Sequence, residues 1–505
     1  MTNPAARLTI TEDNRRWWTL GAMCFALFMV MLDNTVVNVA LPSIQRDLHA
    51  EISALEWVVN GYTLTFAVLI ATGGRLGDIF GRRLMFLAGV VIFAITSATA
   101  GLAQDPAMLI GSRAIQGVGA ALMMPATLSI ITHAFPAAER GKAIGTWAGV
   151  SALALSIGPV VGGFLTEYVS WRAIFFINLP VAAGAVIATI FAVRESRDDS
   201  VDRRVDYPGV VVLTASLTAI VLALIEGNNW GWGSTEILGL LVGGAIGLAG
   251  FVALELRVAA PLVEFGLFRT RQFIGSNLVA FIITFAMMGT FFFMALYMQD
   301  ILGYSALEAG VRFLPTTMVI AVIAPISGRL ADRLGPAVPM SAGLAVLAVS
   351  MFLFAGIDTS TTYSGLIVPF VLMGTGIALV MSPMSTAAMN AVSVQKSGVA
   401  SGVLQMSRMI GASVGVAATG AIFQAQLGSG FDPASLATAP EHARAVFVDA
   451  LASAMLLAAV VVVAGLVVSL TLVRGARAHR AGDVATPPAE IAAPEQAAAA
   501  PATSP

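Results

Sequence analysis

Charge and sulfur are both scarce here: charged residues make up only 11% of the 505-residue chain, and the single cysteine, Cys24, lies inside an apolar run. One thiol excludes an internal disulfide, a cysteine-based metal cluster and a CxxC redox pair. So little charge, set beside 57% hydrophobic residues and a mean hydropathy of +0.86, describes more apolar surface than a soluble domain hides in its core. The bilayer is the solvent. A net charge of -2 leaves no basic excess for nucleic acid. No Gly-rich phosphate loop ending in lysine is present, and the four histidines fall into no metal-ligand pattern, so neither a nucleotide nor a metal is expected as cofactor.

What is present is a succession of apolar runs. Runs of roughly 17 to 26 residues, enough to cross ~30 Å of hydrocarbon as helices, number about fourteen. Their limits are 18–41, 57–73, 84–103, 107–131, 143–165, 173–193 and 209–225, then 237–256, 273–298, 306–326, 338–355, 364–384, 399–423 and 446–473. Arg15 and Arg16 before the first run resemble a signal-peptide n-region, but the run is long and lacks a small-x-small cleavage site, so it reads as a retained first span. Charge placement tests the map independently, because cytoplasmic loops collect Lys and Arg. With the N-terminus inside, only Arg46, Arg172, Arg312 and Arg444 of the 27 basic residues fall outside, and only Arg113 and Arg408 fall within spans. One span more or fewer would scramble this asymmetry. A multi-pass plasma-membrane (inner-membrane) protein with both termini cytoplasmic is expected.

The chain also repeats itself. Gly74-Arg75-Leu76-Gly77-Asp78-Ile79-Phe80-Gly81-Arg82-Arg83 returns as Gly328-Arg329-Leu330-Ala331-Asp332-Arg333-Leu334-Gly335, each a charged island between apolar runs. Gly141, Gly145, Gly158 and Gly163 match Gly398, Gly402, Gly415 and Gly420 at one constant offset, close to that of the first repeat. The pattern predicts an all-α membrane protein of two six-span bundles, 18–193 and 273–473, with a linker at 194–272 that carries two inserted spans. Residues 1–17 form a cytoplasmic N-terminus, and the Ala- and Pro-rich residues 474–505 read as a disordered cytoplasmic tail. In duplicated transporters, the substrate site lies between the halves near the midplane.

Several motifs carry a family resemblance. Gly74-x-x-x-Asp78-x-x-Gly81-Arg82-Arg83 resembles the cytoplasmic signature between spans 2 and 3 of the major facilitator superfamily. Leu32-Asp33-Asn34-Thr35-Val36-Val37-Asn38-Val39-Ala40-Leu41-Pro42 is similar to the span 1 motif of its fourteen-spanning drug:proton antiporter family. Leu109-x-x-x-Arg113-x-x-Gln116-Gly117-x-Gly119-Ala120-Ala121 resembles the proton-coupling motif of span 4. Gly158-Pro159-x-x-Gly162-Gly163 resembles the antiporter motif of span 5, and Trp171-Arg172-x-Ile174-Phe175-x-Ile177-Asn178-x-Pro180 the family's approach to span 6. The likeness runs from about Trp18 to Val473. Two departures stand out: Ala154 replaces the usual first glycine of the antiporter motif, and the second-half repeat ends in Pro336-Ala337 without paired arginines.

An ionised carboxylate at bilayer depth is costly unless it is hydrated or paired. At ~1.5 Å per residue, Asp33 lies ~12 Å from the outer end of span 1 and Arg113 ~9 Å from that of the antiparallel span 4, so the two meet at similar depth. A cavity hydrated from alternate sides would let Asp33 exchange a proton; a permanent structural ion pair is the plainer alternative. The resemblance implies that Gly158, Pro159, Gly162 and Gly163 seal the route against leak, although close helix packing alone also asks for such residues. It further implies that Gly74, Asp78, Gly81, Arg82 and Arg83 form a cytoplasmic gate, with Asp78 facing the start of a second-half helix near Gly398 and Glu139, Arg140 and Lys142 beside it. Candidate cavity residues are Asn34, Asn38, Gln116, Arg408, Met288 and Phe292, with Phe291, Phe293 and further methionines of the same span beside them, although Arg408 suits holding interior carbonyls equally well, and most of the span's Phe and Met residues suit packing or lipid contact better.

The expected activity is proton-coupled export of amphipathic drugs, biocides or metabolites by alternating access. It is driven by the proton motive force without any cofactor, with the monomer as working unit and lipid, protons and a small molecule as partners. Proton-coupled uptake is the alternative within transport. A membrane-embedded enzyme is the alternative outside it, disfavoured because no nucleophile with a nearby His and no paired catalytic carboxylates can be assembled.

Overall fold

The computed structural model describes residues 11–197, 205–258, 261–392, 396–427 and 441–473. The expected tail at 474–505, residues 1–10 of the expected N-terminus, and Arg203 and Arg204 lie outside the described residues. Among the described residues, fourteen helices are long and apolar enough to cross a membrane. In order they are α1 (Glu12–Leu48), α2 (Ile52–Phe80), α3 (Arg82–Gly101), α4 (Pro106–Ala134) and α5 (Ala137–Tyr168), then a sixth span built from α6 (Ala173–Phe176) and α7 (Asn178–Ala192). Two further spans, α8 (Tyr207–Trp230) and α9 (Thr235–Glu255), precede α10 (Arg271–Leu296), which continues through a π turn at Tyr297–Ile301. The tenth span joins α11 (Ala306–Arg312) to α12 (Leu314–Leu334). The rest are α13 (Ala337–Ala355), α14 (Tyr363–Asn390), α15 (Ser397–Leu427) and α16 (Glu441–Leu472).

Several helices outrun the apolar limits, because a helix satisfies its own backbone wherever lipid or protein surrounds it. α1 continues through Pro42 to Leu48, and α2 begins at Ile52, before its apolar run. Of the most hydrophobic windows, that of the span Arg271–Ile301 is 83% buried and that of Thr235–Glu255 only 17%. Similar apolarity therefore serves protein packing in α10 and lipid contact in α9.

Helices α1 to α7 pack among themselves, with α4 against α2 and α3, and α1 against α5 and α7. Helices α10 to α16 do the same, with α10 against α15 and α16, and α14 against α12 and α13. The junction between these groups is made by α2 with α15, α5 with α11 and α12, and α1 with α10. α8 packs on α9 and lies against both α2 and α15. The end of the bundle where α1 starts and α2 turns into α3 is called the basic end below, and the other the far end.

Candidate functional site

Asp33 is buried in the middle of α1, and its two oxygens accept three hydrogen bonds. Arg113 Nη1 of α4 donates to Oδ2 at 2.5 Å, while Gln116 Nε2 (3.3 Å) and Asn178 Nδ2 (3.2 Å) donate to Oδ1. Asp33 is 0% and Arg113 2% exposed. The guanidinium is itself over-determined: Nε donates to Val58 O (3.2 Å), Nη1 also reaches Gln116 Oε1 (2.7 Å), and Tyr62 offers its ring face 4.4 Å away. A buried pair in which Nε and Nη1 both find acceptors is the geometry in which desolvation is offset.

Gln116, expected in a substrate cavity, belongs to this cluster instead, because residues three apart on α4 present both side chains to Asp33. Ser97 and Asn178 were not singled out by sequence reasoning. Asn178 Nδ2 donates also to Ser97 Oγ (3.0 Å), which donates to Phe175 O (2.8 Å). The Trp171–Pro180 motif positions it: Trp171 Nε1 and Arg172 Nη1 both bond Asp47 Oδ2, at 2.9 and 2.6 Å, pinning the start of the sixth span to the end of α1. Asn34 and Asn38 donate to Val30 O and Asn34 O of their own helix. Asn38 faces a residual void of ≈ 10 Å³ with Thr35, Val39, Leu155, Pro159, Phe291 and Phe313.

α5 meets α1 and α11 through its glycines. A methyl group added at Gly158 would lie 1.9 Å from Thr35 Oγ1, one at Gly162 2.9 Å from Val36 Cα, and one at Gly163 2.5 Å from Ala306 O across the junction. Pro159 O in turn lies 2.1 Å from where a methyl on Gly310 would sit. The motif thus makes a backbone-close seam with the second group of helices. More cross-junction bonds lie between mid-depth and the far end. Ser156 Oγ donates to Thr317 O (3.3 Å), Ser413 Oγ to Asn60 Oδ1 (2.7 Å), Gln299 Nε2 to Val39 O (2.8 Å), Gln424 Nε2 to Glu56 Oε1 (2.8 Å) and Leu307 N to Glu167 Oε2 (2.9 Å). Toward the basic end, by contrast, methyl groups added at Gly145 and Gly149 of α5, or at Gly398 and Gly402 of α15, would meet nothing within 4 Å.

Residues 23–416 match the family model of the Major Facilitator Superfamily. The chain belongs to that superfamily. It is 36% identical over 420 residues to the tetracenomycin C resistance and export protein of Streptomyces glaucescens, covering 83% of this chain and 78% of that one. With the puromycin resistance protein pur8 of Streptomyces alboniger the identity is 37% over 458 residues, 89% and 91% of the two chains. Among solved structures, a bacterial homolog of the human lysosomal transporter Spinster, in an inward-facing and unoccupied conformation, superposes with a TM-score of 0.65 at 18% identity, covering 91% of this chain and 98% of that one. This major facilitator protein is a transporter of fourteen spans and not an enzyme.

The superfamily signature between α2 and α3 takes a form that the sequence did not anticipate. Asp78 is held by Arg82 of its own motif, from Nε at 3.1 Å and Nη2 at 2.9 Å, not by the start of α15, whose Gly398 has open space beside it. Glu195 was missed. Its carboxylate accepts from Arg83 N (2.9 Å) and Leu84 N (3.1 Å), capping α3 from a distant segment. Gly81, at φ +117°, is where the chain reverses against that carboxylate, in a conformation only glycine adopts freely. Arg83 Nη2 bonds Ile190 O (2.9 Å), Arg16 pairs with Glu139 at 3.3 Å, and Gly74 rests on Pro125 of α4.

Two cavity candidates are relocated. Phe292 is 0% exposed and stacks edge-on with Phe293 at 4.8 Å inside the second group of helices, where Met288 is also buried. Phe291, one residue earlier, lines the void instead. Arg408 is half-buried in α15, its Nη1 reaching Gln405 Oε1 at 3.3 Å while its carbonyl accepts from Thr284 Oγ1 at 2.7 Å.

Proposed function

We propose that this protein is a proton-coupled antiporter that exports amphipathic drugs, biocides or metabolites, with the basic end in the cytoplasm. The observation that carries the reading is the fully buried Asp33, held by Arg113, Gln116 and Asn178 one helical turn from the Gly158–Gly163 seam. Support comes also from relatives whose names describe resistance to or export of tetracenomycin C and puromycin, and from the basic residues gathered at one end.

In this reading the far end is shut and the cytoplasmic end open, so substrate enters from the cytoplasm or inner leaflet. Its binding favours release of the Asp33 proton inward, and the carboxylate then re-forms its bonds to Arg113, Gln116 and Asn178. The halves, 18–193 and 273–473, rock about the mid-depth cluster, and a proton arriving from outside frees Asp33 from Arg113 for the return. Each inward proton contributes ~2.3 kcal/mol per 100 mV from the electrical term. Arg113 keeps its charge throughout and serves as counter-ion. The inserted helices α8 and α9 act as a brace, held to α15 by Asn228 Nδ2 on Ala421 O (2.7 Å), while the Glu264–Lys396 pair ties the segment after α9 to the residue just before α15. The monomer suffices for the cycle.

The test is the direction of transport in inverted vesicles across a panel of dyes and antibiotics. Acidifying the lumen should drive panel compounds into the vesicle. Uptake driven by the opposite gradient would make the protein an importer, and no response to either gradient across the panel would remove proton coupling.

A further inference from the structure

Glu56 has no place in the Asp33 cluster, yet it is 0% exposed. It lies near the far-end start of α2, at the junction with α15. Oε1 accepts from Gln424 Nε2 at 2.8 Å, and Oε2 is buried without any hydrogen-bond partner. Its ion-pair partner is absent among the described residues. Gln424 is the polar group that faces it from α15, Glu226 is the charged group that acts on it from α8, and Arg113 of α4 is turned to Asp33. α15 makes room for the carboxyl with Gly420, where an added methyl would lie 2.0 Å from Oε1. One turn of α2 deeper in the same seam, Ser413 bonds Asn60.

A buried ion without a counter-charge costs several kcal/mol, so such a group holds its site only as the neutral acid. Opening the α2–α15 seam would hydrate both oxygens and remove that constraint. We propose that Glu56 is a second proton-binding site, loaded from the far-end solution, whose protonation closes the outer seam. Hydronium from outside transfers a proton to a Glu56 oxygen and leaves as water; the seam then shuts over the neutral carboxyl. When the seam opens, the proton returns to the same side. External acid therefore favours the closed far end, and the glutamate acts as a latch separate from the coupling carboxylate at Asp33. The sidedness rests on the orientation proposed above.

The test is a distance measurement between spin labels at Glu51→Cys and Ala425→Cys, exposed positions at the far ends of α2 and α15, in the full chain carrying Cys24→Ser in lipid nanodiscs without substrate. A one-proton linkage allows up to ~10-fold per pH unit, and the open far-end population should rise at least ~5-fold between about pH 5 and about pH 8. With Glu56→Gln the far end should stay closed across that range, while Asp33→Asn should keep the pH response. The distance between labels at Gly145→Cys and Gly402→Cys at the other end reports whether Glu56→Gln is folded. Should it not fold, Glu226→Gln decides: loss of the neighbouring negative charge should move the opening profile to lower pH, and an unmoved profile overturns the proposal. An unchanged pH response in folded Glu56→Gln, or no response in the parent, also overturns it. Each of these failures leaves gradient-driven transport through Asp33 intact, because no transport is measured.

Discussion

α5 and α15 carry glycines at matching positions, and each helix treats them differently at its two ends. Toward the far end, Gly158 and Gly163 of α5 and Gly415 and Gly420 of α15 are so closely packed that an added methyl would fall 1.9 to 2.5 Å from a neighbouring atom. Toward the basic end, Gly145 and Gly402 have open space beside them. Gly163 and Gly420 close the seam between the two groups, on Ala306 and Glu56, whereas Gly158 and Gly415 let α5 and α15 approach α1 and α10 within their own groups. Each helix is thus tightly packed at its glycines over one half and free of neighbours at them over the other. That division is what alternating access requires of helices shared by both gates.

The comparison breaks most sharply at Gly163. Replacing it by Leu drives a side chain into the backbone of α11, so the far end should no longer seal. Gradient-driven accumulation in inverted vesicles should fall at least ~10-fold while passage down the substrate gradient persists, since overpacking costs ~1–3 kcal/mol and here meets rigid backbone. Gly162→Leu, which collides with α1 of its own group, should instead lower thermal stability and leak less.

The cluster at mid-depth belongs to neither end, so damage there should fall on both. Arg113→Gln leaves Asp33 without its counter-charge and should cost ~3–5 kcal/mol in unfolding titrations. Asp33→Asn with Arg113→Gln should recover most of that stability and none of the proton-driven transport. Under a purely structural ion pair, transport would return with stability.

Smaller effects are expected at the basic end. Gly402→Leu should leave the stability of this state within ~0.5 kcal/mol, as for an unconstrained surface change, yet slow transport severalfold by obstructing closure there. Equal rates would mean that the opening never closes on α15. Glu195→Gln weakens the cap on α3 and should cost ~1 kcal/mol, read as a lowered melting temperature, with less effect on transport than Gly402→Leu.

The sequence made the span count legible because apolar runs and basic loops are independent signals that agree. It also brought Asp33 to Arg113, because depth follows from residue count on antiparallel helices. Rotation about the helix axis was not legible. Phe291 and Phe292 are ~100° apart on a helix, and composition gives no means of telling which faces the void and which the core. Nor does it reveal that Gln116 turns to Asp33 or that Asn178 and Ser97 join it. The motif resemblance points Asp78 across the junction, whereas in the structure Arg82 of the same motif holds it. Glu56 escaped because the apolar run starts at Trp57, whereas α2 starts at Ile52 and carries the carboxylate into the seam.

The central claim is that Asp33 converts a proton gradient into movement between these two ends. Inverted vesicles bearing either the parent protein or Asp33→Asn, matched for inserted protein, measure it directly when lumenal acidification and substrate exchange without a gradient are followed side by side. The parent should accumulate substrate on acidification, and Asp33→Asn should exchange substrate without accumulating it. Accumulation by Asp33→Asn at the parent level would contradict the account.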